Sequence, residues 1–276
     1  MPSREPGDAF REMKFRDPVR AKAMVDALER VSSDIGRAPV TVMHVCGSHE
    51  QAIAKYGLRA RLPRALDIIR GPGCPVCITD LPEVDEGVVL ARQGVHIATY
   101  GDMVRVPGSV MSLADAQAEG ARIHVIYGAD QAVELAHRVD EPVVFFATGF
   151  ETTAVATAAI VLKAVPDNFS ILSAHKYIPP AMEVVARIPG SKVEGFIAAG
   201  HAATITGWGV FEPFVERHRL PVVVAGFEPL DILASLLRVL ELIRDGTPRV
   251  ENMYPRCVTK EGNRRAQEQM LSLIHI

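Results

Sequence analysis

Three cysteines in two short segments carry the chemistry open to this chain: Cys46 in Val45-Cys46-Gly47-Ser48-His49-Glu50, and Cys74 with Cys77 in Gly71-Pro72-Gly73-Cys74-Pro75-Val76-Cys77. A thiolate binds soft metals and attacks electrophiles, and each thiol sits where an apolar run breaks into a turn, so the pattern points to metal or redox chemistry. The Cys46 thiol is expected to have its pKa lowered by a helix dipole and by His49, with Glu50 placed to orient that histidine. Taken alone, the same motif also reads as a buried cysteine beside a helix-capping Ser48. Around Cys74 and Cys77, two glycines and two prolines fix a tight backbone that can close a disulfide or bind a soft metal. A structural zinc site would need two more ligands, and no second pair stands at suitable spacing.

Further polar residues stand at similar breaks. Phe145-Phe146-Ala147-Thr148-Gly149-Phe150-Glu151-Thr152-Thr153 runs from an apolar strand into a helix whose first turn offers free N–H groups and hydroxyls, an arrangement suited to an anion. It has one glycine and no following lysine, so it is neither a P-loop nor a dinucleotide fingerprint. His175 in Ser173-Ala174-His175-Lys176 and His201 after Gly200 also fall at strand ends, whereas Asp80, Glu83, Asp85 and Glu86 read as a solvated helix start. Cys46, Asp102, Thr148, His175 and His201 all lie at or just past the carboxyl ends of expected strands, where open α/β sheets build ligand crevices, and are expected to converge on one cleft.

The elements that must position these residues are legible as a rhythm. Short apolar runs over 40–45, 65–70, 96–100, 122–127, 142–147, 169–174, 193–199 and 220–225 alternate with helix-like segments. Such alternation predicts a doubly wound α/β fold with parallel sheets covered on both faces. Helical stripes run over 130–139 and over 228–244, the latter with Leu230, Leu233, Leu236, Leu237, Leu240 and Ile243 on one side. Asp17-Pro18 opens a helix running to about Ser32. The Gly120 region is the expected boundary between two α/β halves.

Composition narrows the classes of function. In 276 residues, 30 Lys plus Arg nearly balance 33 Asp plus Glu without clustering, which argues against nucleic acid or an anionic membrane as partner. Apolar runs are broken before they could span a bilayer, and Met1 to Gly7 is polar, so the expected location is cytoplasmic. In that reducing compartment four cysteines argue for metal or redox use rather than structural disulfides.

Together these motifs resemble the HypD family of NiFe-hydrogenase maturation proteins. The resemblance rests on Cys46-Gly47-Ser48-His49-Glu50, Gly71 to Cys77, Ala147 to Thr153, His175-Lys176 with Pro179-Pro180, Gly200-His201, and Glu251-Asn252-Met253-Tyr254-Pro255-Arg256. It implies a metallocofactor assembly scaffold with redox-active cysteines, building the Fe(CN)2CO unit of the hydrogenase rather than turning over a conventional substrate. The implied partners are a HypC-type chaperone, a HypE-type cyanide donor and, indirectly, the hydrogenase large-subunit precursor, with this chain a monomer entering a hetero-complex. On this resemblance Cys46 is the iron-binding thiolate, His49 a ligand or acid–base group beside it with Glu50, and Cys74 and Cys77 a redox-active dithiol. Thr148, Gly149, Glu151, Thr152, His175 and His201 would line the cleft.

The resemblance also sets a domain plan of two Rossmann-like domains facing a central cleft. Residues 1–38 form a helical segment of a third, iron–sulfur domain, 39–119 the first α/β domain, 120–247 the second, and 248–270 the start of the cluster domain. Family members hold a 4Fe-4S cluster with a further set of cysteines, which Cys257 alone does not supply, so the chain is expected to be a fragment. Leu271 to Ile276 resembles the translated end of a sequencing adaptor and is left out of the expected fold. A general thiol–disulfide oxidoreductase using Cys74 and Cys77 is the alternative function, and a pure ligand-binding α/β module needs no reactive thiol at all.

Overall fold

A computed structural model of the protein describes residues 15–274. The chain folds as two compact α/β units, one holding residues through Gly73 together with Met182–Gly262, the other Cys74–Ala181 together with the residues from Asn263. It passes between the units three times, so neither unit is a continuous stretch of sequence.

Unit 1 opens with α1 (Pro18–Asp34), whose Asp17 cap accepts the Val19 and Arg20 N–H groups at 2.8 and 3.1 Å while Pro18 fills the first helical position. Its sheet comprises β1 (Val40–His44), β2 (Leu66–Arg70), β7 (Val193–Ala199), β8 (Val222–Ala225) and β9 (Val250–Asn252), all parallel, in the order β2-β1-β7-β8-β9. β1 and β8 are buried along their whole length, as parallel strands covered on both faces must be. α2 (Gly47–Lys55), α1 and α10 (Pro229–Arg244) pack one core, in which Leu28 and Val31 meet Val40, Val42, Leu233 and Leu236. Burying each such side chain contributes roughly 1.5–3 kcal/mol. α9 (Glu212–His218) lies by Phe196 of β7 through the edge-on ring of Phe214.

Unit 2 carries β3 (His96–Tyr100), β4 (Ile123–Ile126), β5 (Val143–Gly149) and β6 (Phe169–His175), again parallel, in the order β4-β3-β5-β6. The alternation of β5 sends Phe146 to one face, against α3 (Leu81–Arg92) and α4 (Leu113–Ala118), and Phe145 to the other, against α5 (Ala129–Ala136) and α6 (Glu151–Val161). Gly87 of α3 leaves room for the Phe146 ring. Remaining helices are α7 (Ile178–Arg187), α8 (Gly200–Thr206) and α11 (Arg264–Ile274). In each sheet the chain winds outward in both directions from a central pair, β1 with β7 and β3 with β5. Such a reversal opens a crevice past the strands' carboxyl ends.

The doubly wound parallel fold is present, but the domain plan differs. Gly120 is no boundary: at φ 101° it ends α4 in a Schellman turn, with Gly120 N–H on the Gln117 carbonyl at 3.0 Å and Ala121 N–H on Ala116 at 3.0 Å, and β4 then joins β3 within unit 2. The segment expected over 1–38 is partly outside the described residues, and its helix α1 is built into the unit 1 core rather than a separate domain. Residues 248–270 likewise supply β9 to the unit 1 sheet and the start of α11 in unit 2, and α11 continues through Ile274 into the stretch left out of the expected fold. Residues 275–276 lie outside the described residues.

Candidate functional site

At the carboxyl edge of the unit 1 sheet, β1 ends and the chain turns through Cys46, the extended N-cap of α2 (φ −152°, ψ 127°). The Gly71-Pro72-Gly73 segment after β2 lies against this turn. Gly47 N–H donates to the Gly73 carbonyl at 3.0 Å, a Cβ on Gly73 would overlap the Cys46 backbone, and one on Gly71 would overlap the Met43 side chain. Gly73 is therefore a steric requirement of the thiol's own turn.

Cys46 is 2% exposed, and burial pushes its thiol pKa up, against the opposing pull of the Ser48 and His49 N–H groups and the Ser48 hydroxyl. The expected lowering is thus overturned: in a closed site, desolvation of the thiolate outweighs the helix end. His201 stands with Nδ1 3.9 Å from the Cys46 Sγ, delivered by β7 from 155 residues away. β1 and β7 are the central pair of the sheet, so thiol and imidazole meet at its switch point.

His49 is fully buried, and its Nε2 stands 3.0 Å from the Gly226 carbonyl. That oxygen can only accept, so Nε2 carries the proton and Nδ1 keeps its lone pair, without a partner. Burial, with His44 and His201 nearby, lowers the His49 pKa to about 3, and burial also lowers that of His201. Both rings are neutral near pH 7. The Phe227 ring lies against both, at 5.1 and 5.3 Å between centroids.

Tyr254 meets Phe227 edge-on at 6.0 Å, and Arg256 is sandwiched between the Tyr254 and Phe15 rings at 4.3 and 4.2 Å. Arg256 grips Asp231 with both arms of its fork, one at 2.9 Å. A Cβ on Gly200 or Gly226 would strike Tyr254. The Asn252 to Arg256 motif therefore braces the wall that holds His49 and His201, a role its spelling did not disclose.

Glu50 does not orient His49. It takes His44 Nε2 at 2.8 Å and Arg59 Nη2 at 2.6 Å, while His44 Nδ1 lies 3.1 Å from the Cys46 carbonyl. Burial pulls the His44 pKa below the ordinary value against the pull of Glu50; burial works upward on Glu50, and Arg59 with His44 more than offset it. His44 was missed, although a histidine inside the apolar run Val-Thr-Val-Met-His-Val is the kind of exception that signals a partner.

In unit 2, Cys74 and Cys77 are bonded to each other across a Cα separation of 5.3 Å, at a 3-10 turn over Val76–Ile78. Lys176 bridges Glu83, at 2.9 Å to each oxygen, and Asp80 at 3.3 Å. Thr148 is buried at the end of β5, and Gly149 (φ 151°) sits where a Cβ would overlap Thr153. Glu151 is buried, with one oxygen accepting Ile178 N–H at 2.9 Å and the other unpartnered, and burial raises its pKa. His175 contacts Thr157 at 3.2 Å and Ser173 at 3.0 Å, and burial lowers its pKa to about 4. Thr152 and Asp102 are exposed. The expected cleft residues therefore divide: Cys46, His49 and His201 belong to unit 1, the others to unit 2.

Among the described residues no group of three or more His, Cys, Asp or Glu side chains could hold a metal ion. The unit 1 site offers the Cys46 thiol with the His201 imidazole against it, and a buried His49 Nδ1 without a hydrogen-bond partner. A 4Fe-4S cluster does not fit the cysteines of this chain: Cys46 is buried alone, Cys74 and Cys77 are tied together, and Cys257 is exposed. No helix among the described residues is long and apolar enough to cross a membrane.

Fold and site define a doubly wound α/β protein with a thiol and two neutral imidazoles at a strand switch point, plus a separate Cys-x-x-Cys pair. The family whose sequence model matches, over residues 19–276, is HypD, described as the hydrogenase formation hypA family. A hydrogenase expression/formation protein of Methanocaldococcus jannaschii is 42% identical over 260 residues, which is 93% of this chain and 72% of that one. The hydrogenase maturation factors HypD of Rhodobacter capsulatus and Azotobacter vinelandii are 40% and 38% identical, each covering 69% of its own length and 91% and 92% of this chain. The chain belongs to the HypD family.

Proposed function

We propose that this chain is a cytoplasmic hydrogenase maturation factor, the scaffold and redox partner on which the Fe(CN)2CO unit of a NiFe-hydrogenase is assembled. It works with a HypC-type chaperone and receives cyanide from a HypE-type donor. The iron unit is cargo rather than a resident cofactor. The observation that carries the reading is the Cys46 thiol against the His201 imidazole, with the neighbouring His49 keeping a buried, unpartnered Nδ1.

Thiolate is a good ligand for low-spin iron carrying cyanide and carbon monoxide. Cys46 must lose its proton to bind, and metal binding drives that loss despite the raised pKa. His201 Nδ1, 3.9 Å from Sγ, is placed to accept that proton, and the unpartnered His49 Nδ1 would serve as a second donor to the iron. The Cys74–Cys77 pair supplies a two-electron couple, its disulfide opening on uptake of two electrons and two protons. The test is an infrared spectrum of the anaerobically purified complex with the partner chaperone, beside a Cys46→Ser control. Cyanide and carbonyl stretches that vanish in the control are the expected result. Their absence from an iron-loaded complex would turn the assignment toward a thiol–disulfide oxidoreductase using Cys74 and Cys77.

A further inference from the structure

We propose that the Cys74–Cys77 bond is opened from one side only: an incoming thiolate attacks Sγ of Cys77, and Cys74 departs as the thiolate. The assignment rests on the redox reading of the pair given above and adds which sulfur does what. Two independent observations within unit 2 support it.

The first is access. Cys77 is exposed and lines, with the residues from Ile78 to Glu83, an open surface hollow, whereas Cys74 is half-buried and lies outside that lining. A nucleophile must approach the sulfur it attacks along the line of the S–S bond, which favours the more exposed of the two residues, Cys77. The second is stabilisation of the leaving group. The Cys77 backbone N–H donates to Cys74 Sγ at 3.2 Å. That donor is fixed by the turn, through Ile78 N–H on the Pro75 carbonyl at 3.3 Å, Thr79 N–H on Val76 at 3.3 Å, and the Thr79 hydroxyl on Pro75 at 3.0 Å.

A hydrogen bond to the charged form lowers a pKa, and a less basic thiol leaves faster. Among the described residues no hydrogen-bond donor reaches Sγ of Cys77. Access and leaving-group stability thus select the same direction.

The exchange balances with a dithiol as reductant. Its first thiolate forms a bond to Cys77 Sγ as the Cys74–Cys77 bond breaks, and the electron pair of that bond goes to Cys74. Its second thiolate then displaces Cys77 from the mixed disulfide. The reductant ends as its own disulfide, two electrons poorer, and both cysteines take up protons as their pKa values require. By microscopic reversibility, Cys77 also carries the mixed disulfide when the reduced pair acts on a disulfide.

Full-length chains with Cys74→Ser or Cys77→Ser are each loaded with 5-thio-2-nitrobenzoate on the remaining cysteine, and the rate of its release by dithiothreitol is measured. Release from Cys77 is expected to be at least ~10-fold faster than from Cys74, since rate follows access and the attacked sulfur. In the unsubstituted chain, acid quenching during reduction by a monothiol, followed by peptide mapping, should find the adduct on Cys77, a readout independent of either substitution. Equal release rates, or an adduct on Cys74, would overturn the assignment and leave the redox reading standing. A bond that no thiol opens would remove the redox reading and the assignment together.

Discussion

Replacing Arg256 by methionine should expose how much of unit 1 depends on the brace behind the thiol. The guanidinium is 29% exposed, but its partner Asp231 is only 6% exposed and would be left as a buried carboxylate without its cation. Removing one partner of a buried pair costs about 3–5 kcal/mol. Here the lower end applies, because Arg256 is partly solvated and Asp231 still accepts the Glu228 N–H at 3.2 Å at the start of α10. Loss of the cation from between Phe15 and Tyr254 adds roughly 0.5 kcal/mol for each ring. The sum is about 4 kcal/mol, and with a urea slope of about 2 kcal/mol/M the midpoint should fall by about 2 M. The single tryptophan, Trp208, lies in unit 1, so its fluorescence reads that unit's transition. Replacing both partners, Arg256→Met with Asp231→Leu, should recover most of the loss, because no buried charge is then stranded. A loss below about 1 kcal/mol, or a double variant no better than the single, would refute the argument that Asp231 depends on Arg256.

Two further outcomes follow from the same chemistry. In the native protein iodoacetamide should label exposed Cys257 well before Cys46, whose pKa is raised and whose sulfur is enclosed; equal labelling by mass spectrometry would show the Cys46 turn to be open. Unit 2 should lose stability as pH falls below about 6.5, because unfolded histidine takes up a proton there while His175, with a pKa near about 4, does not. Above that pH both states are neutral and the group contributes nothing. The full loss from His175 is about 3 kcal/mol by pH 4, and His175→Gln should flatten that acid limb of the thermal midpoint.

The inner strands β1, β3, β5, β7 and β8 were legible because a strand buried on both faces must be apolar nearly along its length, whatever it pairs with, and the edge strands β2, β4 and β6 keep enough apolar positions to be read beside them. β9 was not, since Val250-Glu251-Asn252 is short and half-buried and owes its conformation to the ladder offered by β8. The unit boundaries were hidden for a different reason. Local rhythm identifies a βα step but carries no record of which strand it will pair with, and β1 pairs with β7 rather than with β3. The site shows the same division. Cys46, His49, Cys74 and Cys77 were marked by local spacing, while the pairing of Cys46 with His201 and the wedge of Phe227 between two imidazoles are products of sheet order. Glu50 was assigned to the wrong histidine because His49 lies beside it in sequence, yet the helix turns His49 inward to the Gly226 carbonyl and leaves Glu50 facing His44 and Arg59.

The shape of the unit 1 site bears on why a carrier of an iron unit would be built this way. A full set of protein ligands would make a stable resident metal centre, and its cargo would leave slowly. On the proposed function, one thiol and one lone-pair nitrogen would hold only part of a coordination sphere, so the cargo would arrive with ligands of its own and be passed on when a partner offers a competing thiolate. The raised pKa of Cys46 would work in the same direction on that function: with the iron gone, the thiolate would regain its proton in a site that disfavours the anion, which weakens rebinding. On the proposed function, release is thus assisted by the same burial that the brace of Tyr254 and Arg256 maintains. A site opened to water would hold its thiolate more readily and should give up its cargo more slowly.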